Sequence, residues 1–533
     1  MTRPGSRTVA DVGAGLAAAR APRAVRAGER IHVVGAGGAG ASAAALLAYR
    51  AGAAVTGCDA GGASPYSAAL TAEGIAVAWQ HSADHLSTGP DETVPVVDRL
   101  AVTKALTSID PDHPELQAAR HLGVPLEAWQ QVVADAAASA GQRLAAVAGT
   151  HGKSTSSGWL LHLLVQAGRD PSAFVGALLP AALTGGAPGT ARWGTGDTFV
   201  VEADEYAGNF DPYRPALSLL LNAEWDHPDV FADEAAVLDA FEAWLRAADG
   251  AAVERSASGA DEEGHVIVAN VGDRGVLRLA ERLGSRSTTG SLVRVALRDV
   301  AGAVPPGVSM AGRAGRATAG RTRATTLDIE GMDGWPGPVP LRLDGRHNAA
   351  NALCVAAAAW SLGVPAPAIA EGLASFPGVG RRLELKGEPR GVTVLDDYGH
   401  HPTAIAATLS AVRERYPDRR VWAVYEPLTF HRTADLFDAF AAVLSTADRA
   451  VIADIWPGRD PDTTITSAGA LARAISAYGG PAATAPGSVE RTAEHLAERV
   501  HEGDVVLVMG GGRSYVIAEH LIAILGEPSG TAR

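Results

Sequence analysis

Cysteine is nearly missing from this chain: its 533 residues hold two, Cys58 and Cys354. Two thiols this far apart make neither a disulfide framework nor a cysteine-spaced zinc cluster, and they fit a reducing compartment. Long apolar runs are missing as well. None reaches the ~18 residues that a membrane span needs, and Met1 to Arg30 lacks the continuous apolar core of a signal peptide. Positive charge is the third shortage. The formal net charge is −14 and lysine is scarce, so the basic footprint of a nucleic-acid binder is not there. Small anions stay open as ligands, because backbone N–H groups at a helix start can hold a phosphate with few cations. The expectation is a cytoplasmic protein with small phosphorylated partners, no nucleic acid and no membrane. Arg3, Arg7, Arg20, Arg23 and Arg26 suggest a targeting tail or a loosely ordered extension, and the extension is the preferred reading.

What is present is an ordinary globular balance, 47% apolar and 20% charged, in a chain long enough for three or four domains. Strand and helix patterns alternate throughout, which predicts βαβ units and parallel sheets. The first block opens with Ile31-His32-Val33-Val34, a glycine-rich turn, an alanine-rich helix through Tyr49 and a strand from Ala54 to Gly57 ending at Asp59. That order is a Rossmann-type opening. Thr103 to Ile109 and Val124 to Leu126 read as later strands, and Ser82 to Asp98 as a loop. The second block opens with Leu144 to Ala148, with strands again at Thr198 to Glu202 and Leu217 to Leu221. Glu254 to Gly264 and Ala301 to Arg323 read as exposed loops. After Gly378 to Arg382, the segments 392–395, 421–424, 450–453 and 505–508 are spaced like strands of a third parallel sheet.

The most specific motif is Gly149-Thr150-His151-Gly152-Lys153-Ser154-Thr155, directly between an apolar strand and a helix. Glycines let successive N–H groups face phosphate oxygens, Lys153 brings a charge to the β/γ phosphates, and the Ser154 hydroxyl can reach magnesium. The helix N-terminus adds favourable partial charge. A plain glycine-bearing β–α turn is the bland alternative. The spacing is shorter than the usual Walker loop, which carries four residues between its glycines.

This short loop resembles the G-T-H-G-K-T/S-T loop of the Mur ligases, and further segments match along the chain. Gly35-Ala36-Gly37-Gly38-Ala39-Gly40-Ala41-Ser42 resembles the G-x-G-G-x-G-M-S turn of the family's UDP-substrate domain, with Ala41 for the usual Met. Alone, such a turn suggests a dinucleotide cofactor with Asp59 on a ribose. The resemblance implies a UDP-sugar instead, held by Gly35, Gly37, Gly38, Gly40, Ser42 and Asp59. Glu202-Ala203-Asp204-Glu205 resembles E-A-D-E, and Asn222-Ala223-Glu224-Trp225-Asp226-His227 resembles N-x-E-x-D-H. The resemblance makes Ser154, Glu202 and His227 magnesium ligands, in keeping with a hard ion at strand ends beside a phosphate loop. Gly345-Arg346-His347-Asn348-Ala349-Ala350-Asn351-Ala352 matches G-x-H-N-x-x-N-A. Asn348 and Asn351 share one helix face and offer the donor and acceptor that an adenine edge needs. Phe376 to Glu384 resembles the family's interdomain hinge, and Asp396-Asp397-Tyr398-Gly399-His400-His401-Pro402-Thr403 resembles D-D-Y-A-H-H-P-T, a loop that the third domain turns toward the active site. Gly149 to Thr155, His347, Asn348, Asn351, Arg382 and Asp397 would then bind ATP.

The resemblance implies an α/β fold of three domains. These are a Rossmann-like UDP-sugar-binding domain over 28–143, a central ATP-binding domain with a parallel sheet over 144–378, and a C-terminal Rossmann-like domain over 379–533. It implies a monomeric or homodimeric ligase of peptidoglycan precursor synthesis, using ATP and Mg2+ to join UDP-N-acetylmuramate to L-alanine through an acyl phosphate. Lys153, Glu202, His227 and Arg432 would carry the catalysis. Tyr425-Glu426-Pro427-Leu428-Thr429-Phe430-His431-Arg432-Thr433 departs from the alanine-adding pattern F-Q-P-H-R-Y-S-R-T, keeping only the second of its arginines. Glu426-Pro427 resembles the related ligase that adds a murein tripeptide, which leaves that amine donor, or another, as an alternative. A non-catalytic nucleotide-binding relative is the third reading, and the intact Lys153, Glu202, His227, Asn348 and Asn351 speak against it.

Overall fold

A computed structural model of the chain describes residues 12–88, 94–227, 230–257, 264–284, 291–299, 301–319, 322–457, 460, 462–479 and 482–526. The described residues form two compact units, one built from 1–313, 327–339 and 350–379, the other from 314–326, 340–349 and 380–533.

The first unit contains two sheets. One is formed by Arg30–Val34 (β1), Ala54–Cys58 (β2), Ala76–Ala78 (β3), Arg99–Val102 (β4) and Leu126–Ala128 (β5), in the order β3-β2-β1-β4-β5 with every pair parallel. The other holds Arg143–Ala148 (β6), Ser172–Leu179 (β7), Gly189–Arg192 (β8), Thr198–Ala203 (β9), Leu217–Leu220 (β10), Val266–Asn270 (β11) and Ser291–Leu297 (β12). These lie in the order β8-β7-β9-β6-β10-β11-β12, all parallel except the β8 edge. The runs β6, β9 and β10 are apolar and buried because helices cover both faces of a parallel sheet. One continuous apolar core runs through both sheets, from Val25 to Ala296. The C-terminal ends of β9, β6 and β10 lie side by side, where open α/β sheets bind ligands.

In the second unit, Glu384–Gly387 (β13), Thr393–Asp397 (β14), Val421–Glu426 (β15), Arg449–Ala453 (β16), Thr484–Gly487 (β17) and Val505–Gly510 (β18) make a sheet ordered β13-β14-β18-β15-β16-β17. Apolar clusters fill both of its faces, one around Tyr425 and Phe440, the other around Val424 and Ile517.

Four sequence expectations are corrected. Residues 103–109 are not a strand: Lys104–Ile109 is a helix, with Thr103 in extended conformation as its N-terminal cap residue. The β-branched ends suggest a strand, but the Lys, Ala and Leu that open the segment favour helix. The 301–323 loop holds two long strands, Met310–Ala319 and Thr322–Glu330. Its Gly, Ala and Arg composition hid them, because the ladder from Val295–Leu297 to Met310–Gly312 is made by backbone groups alone. The segment before β1 is not loose over its described part, 12–29. The Ala17 N–H donates to the Leu126 carbonyl at 2.7 Å, the Val25 N–H to Ser139 Oγ at 2.7 Å, and Arg20 grips Asp135 at 2.7 Å. Arg3 and Arg7 lie outside the described residues. In the region read as a loop over 254–264, the helix Glu234–Ala257 extends through 257.

Candidate active site

The phosphate loop leaves β6 and enters the helix Lys153–Gln166. Gly149 and Gly152 have φ of 148° and 82°, conformations that L side chains rarely adopt, so the curl of the loop requires both. Asn222, just past β10, pins that curl. Its side-chain oxygen accepts from the His151 N–H at 2.7 Å and its amide donates to the His151 carbonyl at 3.0 Å. Thr150 and Glu224 are tied together in the same way, with the Glu224 N–H donating to Thr150 Oγ1 at 2.9 Å. On the other side, the modest space over Gly152 ends at Asn351, whose amide would lie 3.0 Å from a Cβ there. The loop is thus preformed by neighbours, in keeping with a rigid anion cradle.

Lys153 sits 12% exposed among oxygen atoms. Its Nζ donates to the Gly149 carbonyl at 2.7 Å and to Glu205 Oε2 at 2.9 Å, with Asp204 Oδ1 at 3.5 Å. Burial works to lower its pKa, but the Glu205 and Asp204 carboxylates outweigh it and hold the ammonium charged. Burial raises the pKa of Glu205 against the pull of Lys153, while Asp204 is held below its ordinary value by Lys153 and His227 despite burial. Ser154 Oγ donates to Glu202 Oε1 at 3.0 Å, and Glu202 Oε2 accepts from the Gly176 N–H at 2.6 Å. His227 adopts a φ of 56°, a strained backbone for a non-glycine residue. One donor atom each from Asp204, Glu205 and His227 lies within 4.8 Å of the others. A hydroxyl, three carboxylates and one imidazole beside a phosphate loop suit magnesium, a hard ion that takes oxygen ligands.

The structure therefore brings Lys153, Ser154, Glu202, His227 and Asn351 around one loop. It adds Asp204, Glu205 and Asn222, whose roles the sequence reading did not assign. The E-A-D-E and N-x-E-x-D-H matches carried all three residues, but only the fold shows that they face Lys153 and His151.

At the other glycine turn, the side chain of Asp59 braces the backbone: Oδ2 accepts from the Gly37 N–H at 2.9 Å and Oδ1 from the Gly61 N–H at 2.7 Å. Ser42 is buried and its hydroxyl lies 3.2 Å from Thr190 Oγ1, while Thr190 donates to the Ala39 carbonyl at 2.8 Å. Gly40 faces the Trp129 ring so closely that no Cβ fits. Gly35 and Gly38 complete the turn into the helix Ala39–Arg50.

In the second unit, Arg381 donates to the Gly510 carbonyl and to Ser514 Oγ, both at 2.8 Å, and Arg382 lies over the Tyr398 ring at 4.9 Å. Asp397 accepts from the Leu383 N–H at 2.9 Å and the Gly399 N–H at 2.8 Å, so it fixes the hinge and the following turn. Asn348 donates to the Asp344 carbonyl at 2.8 Å, and His347, half-buried beside Gly345, has its pKa lowered by desolvation. Arg432 is buried on the helix Phe430–Asp435, and the neighbouring His431 pairs with Asp460 at 3.2 Å. Burial pushes the Glu426 carboxyl up to about 7, against backbone hydrogen bonds from Ser514 and Arg513 and the nearby Arg381 charge.

Comparison with known proteins gives matches over nearly the same ground. Residues 30–140 match a model described as Mur ligase family, catalytic domain, and residues 381–512 one described as Mur ligase, glutamate ligase domain. A UDP-N-acetylmuramate–L-alanine ligase of Frankia casuarinae is 38% identical, aligned over 80% of this chain and 84% of that protein. One of Paenarthrobacter aurescens is 36% identical over 79% of this chain and 83% of its own length. Among solved structures, UDP-N-acetylmuramate–alanine ligase from Thermotoga maritima superposes with a TM-score of 0.71 at 22% identity, covering 93% of this chain and 98% of that one. A murein peptide ligase from Psychrobacter arcticus gives 0.65 at 23% identity, covering 94% and 99%.

Proposed function

Because this chain belongs to the Mur ligase family, we propose that it joins L-alanine to the carboxylate of UDP-N-acetylmuramate with ATP, in peptidoglycan precursor synthesis. The observation that carries this reading is the braced phosphate loop, with the Lys153 ammonium held between the loop carbonyls and the Glu205 and Asp204 carboxylates.

In the proposed reaction, the muramate carboxylate attacks the γ-phosphorus of ATP and ADP leaves, giving an acyl phosphate. The amine of L-alanine then attacks the acyl carbon, loses a proton, and inorganic phosphate departs as the amide forms. Little covalent chemistry falls to the protein, so catalysis is positioning and charge neutralisation. Lys153 supplies the fixed cation at the transferred phosphoryl group. The loop N–H groups from Gly149 to Thr155 cradle the phosphates, and Asn222 keeps their directions fixed before ATP arrives. Magnesium, when bound, supplies Lewis-acid neutralisation of phosphate oxygens, and Ser154, Glu202 and His227 are the residues that would hold it. His347, Asn348, Asn351, Arg382 and Asp397 complete the proposed ATP site, and Arg432 is the proposed catalytic cation of the C-terminal domain. The turn of Gly35, Gly37, Gly38, Gly40 and Ser42, braced by Asp59, is assigned to the UDP-sugar.

The domain division at 28–143, 144–378 and 379–533, a cytoplasmic location and a monomeric or homodimeric state are part of the same proposal. No helix among the described residues is long and apolar enough to cross a membrane. Glu426-Pro427 resembles the tripeptide-adding ligase, and Leu428 and Thr429 stand where the alanine-adding pattern has basic residues, so the tripeptide donor is the second reading. The test is phosphate release from ATP with UDP-N-acetylmuramate, comparing L-alanine, glycine, L-serine and the murein tripeptide. Release that needs L-alanine supports the first reading; release with the tripeptide alone replaces it by the second.

A further inference from the structure

Behind the UDP-sugar turn lies a cluster that the ligase chemistry does not use. His32 sits mid-strand in β1, Cys58 ends β2, His85 closes the short turn Ala83–His85, and Glu115 stands in the first turn of the helix Pro114–Leu122. One donor atom from each of the four lies within 4.8 Å of the others. Cys58 Sγ is 3.1 Å from both Glu115 oxygens, and His85 Nδ1 is 2.7 Å from Glu115 Oε1. His81 and His113 flank the group, with His81 Nδ1 3.2 Å from Cys58 Sγ and the two imidazoles edge to face at 4.5 Å.

Two of these rings lack what buried polar groups normally have. His32 is 2% exposed; its Nδ1 lies 2.8 Å from Thr56 Oγ1, which leaves Nε2 with no partner among the described residues. His113 is 3% exposed and neither ring nitrogen has one. A buried imidazole nitrogen with no partner has given up its hydrogen bond to water, so it calls for a ligand or an explanation.

We propose that His32, Cys58, His85 and Glu115 form a binding site for a zinc-class divalent cation. Two imidazoles, one thiolate and one carboxylate make a mixed N/S/O set that suits zinc and does not suit magnesium. The Thr56 hydroxyl at Nδ1 leaves Nε2 as the nitrogen that would coordinate, the usual arrangement behind a metal-bound histidine. Binding forms four coordinate bonds and releases the Cys58 proton to solvent, so cation, thiolate and carboxylate sum to zero charge. Because binding releases that proton, metal affinity rises with pH. The ion would tie β1 and β2 together where the Cys58 carbonyl already accepts the Gly35 and Ala36 N–H groups at 2.8 and 3.0 Å. It would stiffen the base of the glycine turn. Sequence spacing gives no hint of this, since two cysteines make no zinc pattern and the four ligands come from four separate elements.

The test is cobalt titration of the metal-free full chain with excess magnesium present. One equivalent is expected to produce a thiolate-to-cobalt charge-transfer band and d–d bands of tetrahedral intensity, both bleached by one equivalent of zinc. Cys58→Ser should lose the charge-transfer band, and His32→Gln and His85→Gln should each weaken binding at least tenfold. His85 is the most exposed of the four, so His85→Gln remains informative if the buried variants do not fold. A wild-type chain with no charge-transfer band overturns the proposal. So does a band that survives Cys58→Ser, or an affinity unchanged in His85→Gln.

Discussion

Asn222 offers the sharpest probe of the phosphate loop. Its side chain makes two hydrogen bonds to one residue of the loop, at 2.7 and 3.0 Å to the His151 N–H and carbonyl. Asn222→Ala removes both while leaving the backbone contact from the Thr150 N–H to the Asn222 carbonyl in place. At about 1 kcal/mol net for each bond, the loop loses roughly 2 kcal/mol of ordering. If ATP must restore that order on binding, its affinity falls about 30-fold at ~1.4 kcal/mol per decade. Asn222→Asp keeps the acceptor but sets a carboxylate against the His151 carbonyl and the incoming phosphates, so it is expected to fall at least as far. Calorimetric titration with ATP and magnesium reads the effect, and UDP-N-acetylmuramate affinity in the same variants serves as the control for folding. An Asn222→Ala chain that binds ATP within twofold of wild type would refute the reasoning, because the loop would then hold its shape without the brace.

Three further outcomes follow from the same structure. Lys153→Ala is expected to cut phosphate release by roughly 10³-fold or more while UDP-sugar binding at the Gly35–Ser42 turn survives; titration showing lost UDP-sugar affinity would sink that division of labour. Arg99 is 2% exposed and meets Glu127 at 2.8 Å, Asp135 at 2.5 Å and Glu29 at 3.4 Å. Arg99→Met leaves these carboxylates buried with less compensation, a loss of about 3–5 kcal/mol visible as an earlier denaturant midpoint. Glu426, whose burial raises its pKa well above the ordinary carboxylate range to about 7, binds its proton more tightly folded than unfolded. Its contribution is therefore full below the unfolded pKa and is lost as pH rises through about 7, by on the order of 3 kcal/mol. Glu426→Gln should flatten the fall in melting temperature between about pH 5 and pH 8, and an unchanged slope would contradict the assignment.

Apolar strands directly before glycine turns were legible from sequence because buried parallel strands read as unbroken Val, Ala and Leu runs, as in β6 and β18. The phosphate loop was legible for a related reason, since both its glycines and its lysine are fixed by local backbone geometry. The strands Met310–Ala319 and Thr322–Glu330 were hidden, because small and charged residues can occupy a ladder whose hydrogen bonds are all backbone. Partners distant in sequence were hidden too. Nothing in the order of residues sets Asn222 on His151, Glu205 on Lys153, or Trp129 against Gly40; those meetings depend on which strand ends the sheet places side by side. At Asp59 the fold adds a structural role that sequence does not show. Its position suggested a ligand contact, and the fold shows both of its oxygens on backbone N–H groups of its own turn and of Gly37.

The most direct test of the account follows the oxygen of the muramate carboxylate. UDP-N-acetylmuramate labelled with ¹⁸O in that group is incubated with the full chain, ATP, magnesium and L-alanine, and the released phosphate is analysed by mass spectrometry. An acyl phosphate requires one carboxylate oxygen to leave with the phosphoryl group, so the account predicts one ¹⁸O in each phosphate and a matching amount of amide product. Amide product accompanied by unlabelled phosphate would contradict it.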